Sequence, residues 1–317
     1  MIRTGVIGNN EFCNTTLENL SDVNEFKLIG LHEPVHDNTN NLADKFNLKS
    51  YSQATEMLKD VDAVIAMPPL SCPENISYFV RNSKHVFFEL STDYSKTEAN
   101  KLSAIIDEAD VKVQVGLHHR FNNTFLSAKP FINNPKFIQS GNYKKFNSES
   151  QNYKALLDML IADIDIVLSI VNAEVKNIVA NAASMFPGAP DVINARIEFL
   201  NGCVAQLTAG IIATEDSHQF GFYCTKDFIN IDFCKNKAWI IKKKDKNSDI
   251  KLFQENISGL CVEPINIKPN NHLYDEFHSF AKSIMYNKNP EVSIDSTIKT
   301  LSIIQVIKEK IKLSIGD

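Results

Sequence analysis

The chain has 317 residues, 44% of them hydrophobic and 22% charged, and a formal net charge of −5. It is long for a single core, so two domains are expected, and the composition is that of an ordinary globular protein. No block of basic residues stands out beyond Lys242-Lys243-Lys244, which argues against nucleic-acid binding, and no apolar run approaches the ~20 residues of a membrane span.

In chain order, residues 2–8 read as a short buried strand running into glycine, followed by a helical stretch near 12–20 and a strand at 26–32 that ends on Glu33-Pro34. Helices are expected at 39–47 and 53–59. A continuous apolar strand, 61–67, is halted by Pro68-Pro69. Ser71-Cys72-Pro73-Glu74 reads as a capping box opening a helix with Ile76, Phe79 and Val80 inward, and Ser95-Lys96-Thr97-Glu98 as a second one. Strands at 85–90 and 111–117 complete the series. Strands that alternate with helices and are apolar throughout specify a parallel sheet covered on both faces. Residues 1–118 thus read as a doubly wound Rossmann domain that binds a dinucleotide.

Residues 119–317 follow another pattern. A helix near 122–133 and a strand at 136–146 precede the helix KALLDMLIADIDIVLSIV, residues 154–171. Strands are then expected at 191–200 and 203–213, flanking the hairpin signal Asn201-Gly202, and near 217–224, 228–233, 237–243, 250–257 and 260–267. Helices at 272–286 and 295–311 close the chain. This is an α+β domain with a large, mostly antiparallel open sheet. On the helix at 154–171, Asp158, Ala162 and Asp165 fall on one stripe, open to an acid/base or substrate-binding reading and equally to a solvent-facing one.

Ligands of parallel sheets sit at the carboxyl ends of the strands. Here those ends are Gly8-Asn9-Asn10, leading into Glu11 and Phe12, then Glu33, then Met67-Pro68-Pro69, then Glu89-Leu90-Ser91, and Gly116-Leu117-His118. The first turn offers helix amides to a pyrophosphate. Glu33 is placed to accept from both ribose hydroxyls and to repel a 2′-phosphate, which favours NAD over NADP. His118 and His119 end the last strand. They read as cleft-lining or surface histidines or, alternatively, as an acid/base, histidine being a residue type that can titrate near neutrality.

GVIG at 5–8, DAVIAMPP at 62–69, KHVFFE at 84–89, VGLHHRFN at 115–122, DMLIADIDIVLS at 158–169 and HLYDEFHSFAKSI at 272–284 occur in an order and spacing that resembles the Gfo/Idh/MocA family of sugar and sugar-nucleotide dehydrogenases. The resemblance spans essentially the whole chain. It implies a bound nicotinamide dinucleotide, hydride removal from a sugar carbon, and a homo-oligomer formed through the second sheet. Arg120 matches the family's Arg-Phe pair, read as a structural or cofactor-adjacent position and as a substrate candidate. The departures are specific. The family's G-x-G-x-x-G falls on Gly8, Asn10 and Cys13; its Glu-Lys-Pro lysine falls on Leu90; and the histidine of its Asp-x-x-x-His helix motif falls on Ala162. Asp158 is what remains of that set. A protein of this type with little or no dehydrogenase activity is the reading that follows. An active sugar or UDP-sugar dehydrogenase with a non-standard acid/base such as His118, and a non-catalytic binding or regulatory subunit, are the alternatives.

The six cysteines at 13, 72, 203, 224, 234 and 261 are scattered without a CxxC pair. They read as thiols of a reducing cytoplasm, with no disulfide frame and no metal site. No signal peptide is expected before Ile2.

Overall fold

Four-residue runs with no polar atom, such as Ala63–Ala66, have nowhere to go but the middle of a sheet covered on both sides. The computed structural model, which describes residues 1–8, 10–34, 39–92, 94–146, 153–185, 189–243 and 260–315, places that run at 0% exposure. The strands β1 (Ile2–Ile7), β2 (Phe26–His32), β3 (Lys49–Ser50), β4 (Ala63–Ala66), β5 (His85–Glu89) and β6 (Val113–Gly116) form one sheet in the order β3-β2-β1-β4-β5-β6. Every described pairing in it is parallel. The helices α1 (Asn10–Ser21), α2 (Thr39–Lys45), α3 (Pro73–Arg81) and α4 (Lys96–Ala109) alternate with the strands, as the apolar pattern requires.

The second capping box forms as expected: Ser95 Oγ accepts from the Glu98 N–H and Glu98 Oε2 accepts from the Ser95 N–H. The first does not. Pro73 is the first helical residue, so the cap falls on Cys72, which makes no side-chain capping bond; proline suits that first position because its φ is already helical. Residues 54–59 form a 3-10 turn and not an α-helix. The helix expected at 122–133 is the shorter α5 (Asn123–Ala128), passing into a 3-10 turn that contains Pro130.

The chain divides into two units, residues 1–121 with 271–301 and residues 122–270 with 302–317. A boundary drawn at 118 leaves out the return of α7 (His272–Met285) to the first unit. Phe277 and Phe280 of α7 pack on Phe87 at ring-centroid distances of 5.0 and 6.0 Å, and Phe280 also meets Phe26. The division crosses the final helix, α8 (Ile294–Ile315).

In the second unit an eight-stranded sheet runs in the order β14-β13-β12-β11-β7-β10-β9-β8. Its strands are β7 (Phe137–Lys145), β8 (Val175–Ala183), β9 (Val192–Phe199), β10 (Val204–Ala213), β11 (Ser217–Tyr223), β12 (Asp227–Asp232), β13 (Lys237–Lys243) and β14 (Leu260–Pro264). It is antiparallel except where β10 lies parallel to β7. The strand expected at 250–257 lies outside the described residues. Gly202 takes φ of +84° in the β9–β10 hairpin, and Asn201 Oδ1 accepts from the Cys203 N–H.

Residue burial alternates strictly along β9, so one face of the sheet is covered, by α6 (Tyr153–Ile170) among others. Leu156, Leu160, Ile164 and Val167 of α6 are all 0% exposed, each contributing about 1.5–3 kcal/mol on burial. Leu160→Ala is expected to lower the unfolding free energy by about 2–5 kcal/mol, read from urea denaturation followed by circular dichroism.

Candidate functional site

The carboxyl edge of the first sheet gathers most of the sequence-predicted cofactor residues. β1 runs into Gly8, whose N–H donates to the His32 carbonyl at 3.1 Å. A Cβ on Gly8 would stand 2.8 Å from Met67 Cβ and 3.1 Å from Cys13 Sγ, so glycine is required for this close approach. Asn9 lies outside the described residues, as do the side chains of Asn10, Glu11 and Phe12, whose backbone opens α1. Cys13 is fully buried, and burial, with the Glu33 charge adding to it, pushes its thiol up to about 12. The thiol is therefore a packing group and not a nucleophile.

Glu33 follows β2 directly and is only 2% exposed, with its carboxyl held above the usual range by burial. Among the described residues its Oε2 has no hydrogen-bond partner. A buried carboxyl oxygen without a donor is a standing cost unless something else supplies one. Met67, 7% exposed, is held in line with β1 by its N–H on the Ile7 carbonyl at 2.8 Å, and the Pro68–Pro69 peptide that follows is cis.

β5 delivers Glu89, with Leu90 and Ser91 just beyond it at 7% and 8% exposure. Leu90 is thus an apolar, buried residue just past the end of β5. β6 ends at Gly116, and the Leu117 N–H donates to Glu276 Oε1 of α7 at 2.8 Å. The turn at 118–121 brings the His118 ring to 4.1 Å from His119 and 5.5 Å from His272, both pairs tilted, and burial lowers the pKa of His272. In the same turn the Arg120 N–H donates to the Leu117 carbonyl. Among the described residues no group of three or more His, Cys, Asp or Glu is disposed to hold a metal ion.

In the second unit, α6 separates its acids in a way the stripe reading does not foresee. Asp158 and Ala162 are half-buried one turn apart, whereas Asp165 is 1% exposed and so is neither solvent-facing nor open. Asp163, in phase with the apolar positions Leu160, Ile164 and Val167, is fully buried. It accepts from Ser140 of β7 at 2.5 Å and meets His218 Nε2 of β11 at 2.7 Å, and the His218 ring stacks on Phe233. Asp163, His218 and Glu276 all escape a motif-based reading. For Asp163 and Glu276 the available signal is a charge standing in an apolar helical phase.

Residues 2–117 match the oxidoreductase family with an NAD-binding Rossmann fold, and residues 124–230 match the GFO/IDH/MocA C-terminal domain. This chain belongs to the Gfo/Idh/MocA oxidoreductase family. The UDP-N-acetylglucosamine 3-dehydrogenase of Acidithiobacillus ferrooxidans is 21% identical over 89% of this chain and 88% of its own length. A solved structure of that enzyme superposes with a TM-score of 0.91, covering 100% of this chain and 99% of the other at 18% identity. An Agrobacterium radiobacter oxidoreductase solved with NAD+, L-tartaric acid and magnesium gives a TM-score of 0.82 at 14% identity over 98% of this chain and 96% of its own. The parallel sheet and the mostly antiparallel one are those of the Gfo/Idh/MocA fold. The family's N-terminal domain is that of an oxidoreductase with an NAD-binding Rossmann fold. Among the described residues no helix is long and apolar enough to cross a membrane.

Proposed function

We propose that this Gfo/Idh/MocA chain binds NAD in preference to NADP together with a sugar nucleotide, and turns over far more slowly than a dehydrogenase with a complete acid/base set. The observation that carries the cofactor reading is the Glu33 carboxyl, buried at the end of β2, whose Oε2 has no donor among the described residues. Ribose hydroxyls are donors of the right kind, and a 2′-phosphate would bring like charge against it. Gly8, Met67 and Pro68 fit the same group by keeping the strand ends close and free of polar side chains, with the amides of α1 available to a pyrophosphate. When bound, the nicotinamide takes up or gives the hydride.

What this chain's own residues supply to the proton half of the reaction is small. Leu90 cannot hydrogen-bond a reacting hydroxyl, the Ala162 methyl cannot titrate, and Asp158 remains as an acceptor. The similarity to UDP-N-acetylglucosamine 3-dehydrogenase over most of both chains supports a UDP-hexosamine as the class of ligand. One face of the second sheet carries a cross-strand row, Val204, Phe137, Tyr223, Phe228, Ile241 and Val262, in which Tyr223 is 44% exposed. It supports pairing with a second copy of the chain.

Titration of nicotinamide fluorescence tests the cofactor reading. NADH is expected to bind at least about tenfold more tightly than NADPH, and Glu33→Gln to narrow that ratio while weakening NADH. Absence of binding by either, or tighter binding of NADPH, overturns the reading.

A further inference from the structure

At the amino edge of the first sheet, hydrogen bonds join four segments of chain in a row. The Asp62 N–H donates to the Arg3 carbonyl of β1 at 2.7 Å, and the His85 N–H donates to the Asp62 carbonyl at 3.1 Å. The third link differs in kind. The Lys112 N–H, just ahead of β6, donates to Nδ1 of the His85 ring at 2.9 Å. The Val86 N–H already donates to the Lys112 carbonyl at 3.0 Å, and a parallel ladder would then send the Lys112 N–H to the carbonyl of Lys84. An imidazole takes the place of that carbonyl.

A backbone N–H can only donate, so Nδ1 carries no proton here and the neutral ring holds its proton on Nε2. Protonation makes both ring nitrogens donors and sets one donor against another. We propose that His85 is an acid-released latch: as the neutral imidazole it closes the amino end of the β5–β6 pair, and on taking up a proton it lets Lys112 go and that end of the sheet opens. A carbonyl in the same place would hold at any pH, whereas histidine is the side chain whose charge ordinarily changes between about pH 5 and 8. Glu89 and Gly116 are paired at the far end of the same two strands, so the opening is local to the amino edge.

The groups around the ring set the direction of its titration. Burial first, and the Lys112 charge second, hold the His85 ring below the ordinary histidine value; Asp62 and Asp110 pull the other way, and Lys84 adds to the lowering. Asp62 is bound by Arg3, whose Nε donates to its Oδ2 at 3.0 Å, and Lys84 Nζ donates to the Val61 carbonyl at 2.9 Å. α3, which also packs on β5, turns Phe79 and Val80 inward and leaves Glu74 and Arg81 exposed. A histidine held low in the fold takes up its proton more readily once released. The latch therefore contributes its full stabilisation above about 6.5, the ordinary histidine value, and loses it as the pH falls through the lower folded value.

The test uses the ligand-free chain, so it stands apart from whether a dinucleotide or a sugar binds. In the uniformly 15N-labelled chain, the neutral His85 ring is expected to show the Nε2–H tautomer and to titrate with a midpoint below about 6.5. The protection of the Lys112 amide against hydrogen exchange, corrected for the intrinsic pH dependence of exchange, is expected to fall by up to about tenfold for each pH unit between about 6.5 and that midpoint. The Val115 amide, which donates to the Val292 carbonyl, should keep its protection over the same range. These readouts need no variant. His85→Asn offers Oδ1 in place of Nδ1 without a titrating ring and should hold the Lys112 amide at every pH, whereas His85→Leu should leave it unprotected at every pH. Lys112 protection that ignores pH in the unmodified chain, an Nδ1–H tautomer, or a midpoint above about 6.5 each overturns the proposal. So does a His85→Leu chain that protects Lys112 as the unmodified chain does, or a His85→Asn chain that keeps the pH dependence.

Discussion

Leu90→Lys combined with Ala162→His is expected to raise the rate of NAD reduction by a UDP-N-acetylhexosamine by roughly 10²–10⁴-fold over the unmodified chain, followed as NADH absorbance. Leu90 is 7% exposed, so an ammonium placed there is partly desolvated and its pKa moves down toward neutrality, where proton transfer is efficient. Ala162 is half-buried, one helical turn from Asp158. An imidazole at that spacing lies within hydrogen-bonding reach of the carboxylate, which would fix its orientation and favour its charged form. Groups that act as one unit do not add, so each single variant is expected to gain less than about tenfold. A double variant that binds NADH as the unmodified chain does, yet stays silent across UDP-hexosamines, hexoses and inositols, would show that an amine at 90 and an imidazole at 162 are not what limits turnover.

Much of the first sheet is legible because the inner stretches of its strands are buried on both faces and apolar, so a run such as Ala63–Ala66 declares itself. The α6 boundaries and the β9–β10 hairpin are legible for similar local reasons, a 3.6-residue period and an Asn-Gly turn with φ > 0 at the glycine. What the sequence hides is where the polar members of apolar faces find their partners. Asp163 and Glu276 look like interruptions of a hydrophobic stripe, and their partners Ser140, His218 and the Leu117 N–H are 23, 55 and 159 positions away along the chain. The same distance effect puts α7 against β5 after an intervening unit of some 150 residues, a return that no local pattern encodes. Glu33 is a mixed case. Its place at a strand end is visible in the sequence, but its burial is a property of the packed edge.

The largest loss of stability is expected at Asp163. Asp163→Ala should lower the unfolding free energy by about 3–5 kcal/mol, measured by urea denaturation with unchanged slope. The carboxylate is 0% exposed and takes two hydrogen bonds at 2.5 and 2.7 Å from groups on two different strands. Removing it leaves the Ser140 hydroxyl without this acceptor and takes a partner from a His218 ring that is itself 6% exposed and stacked against Phe233. His218→Phe should cost less, because an aromatic ring of similar size keeps the stack while the carboxylate retains Ser140. A double-mutant cycle between Asp163→Ala and His218→Phe should therefore return a coupling of about 0.5–3 kcal/mol, against near-zero for independent sites. Because Asp163 lies one residue past Ala162, the same contacts set the rotation of α6 about its own axis. Asp163→Asn, which keeps the shape and can still accept from Ser140, should then be closer to the unmodified chain in stability than Asp163→Ala. If both lose equally, the carboxylate's charge, and not its geometry, is what ties α6 to β7 and β11.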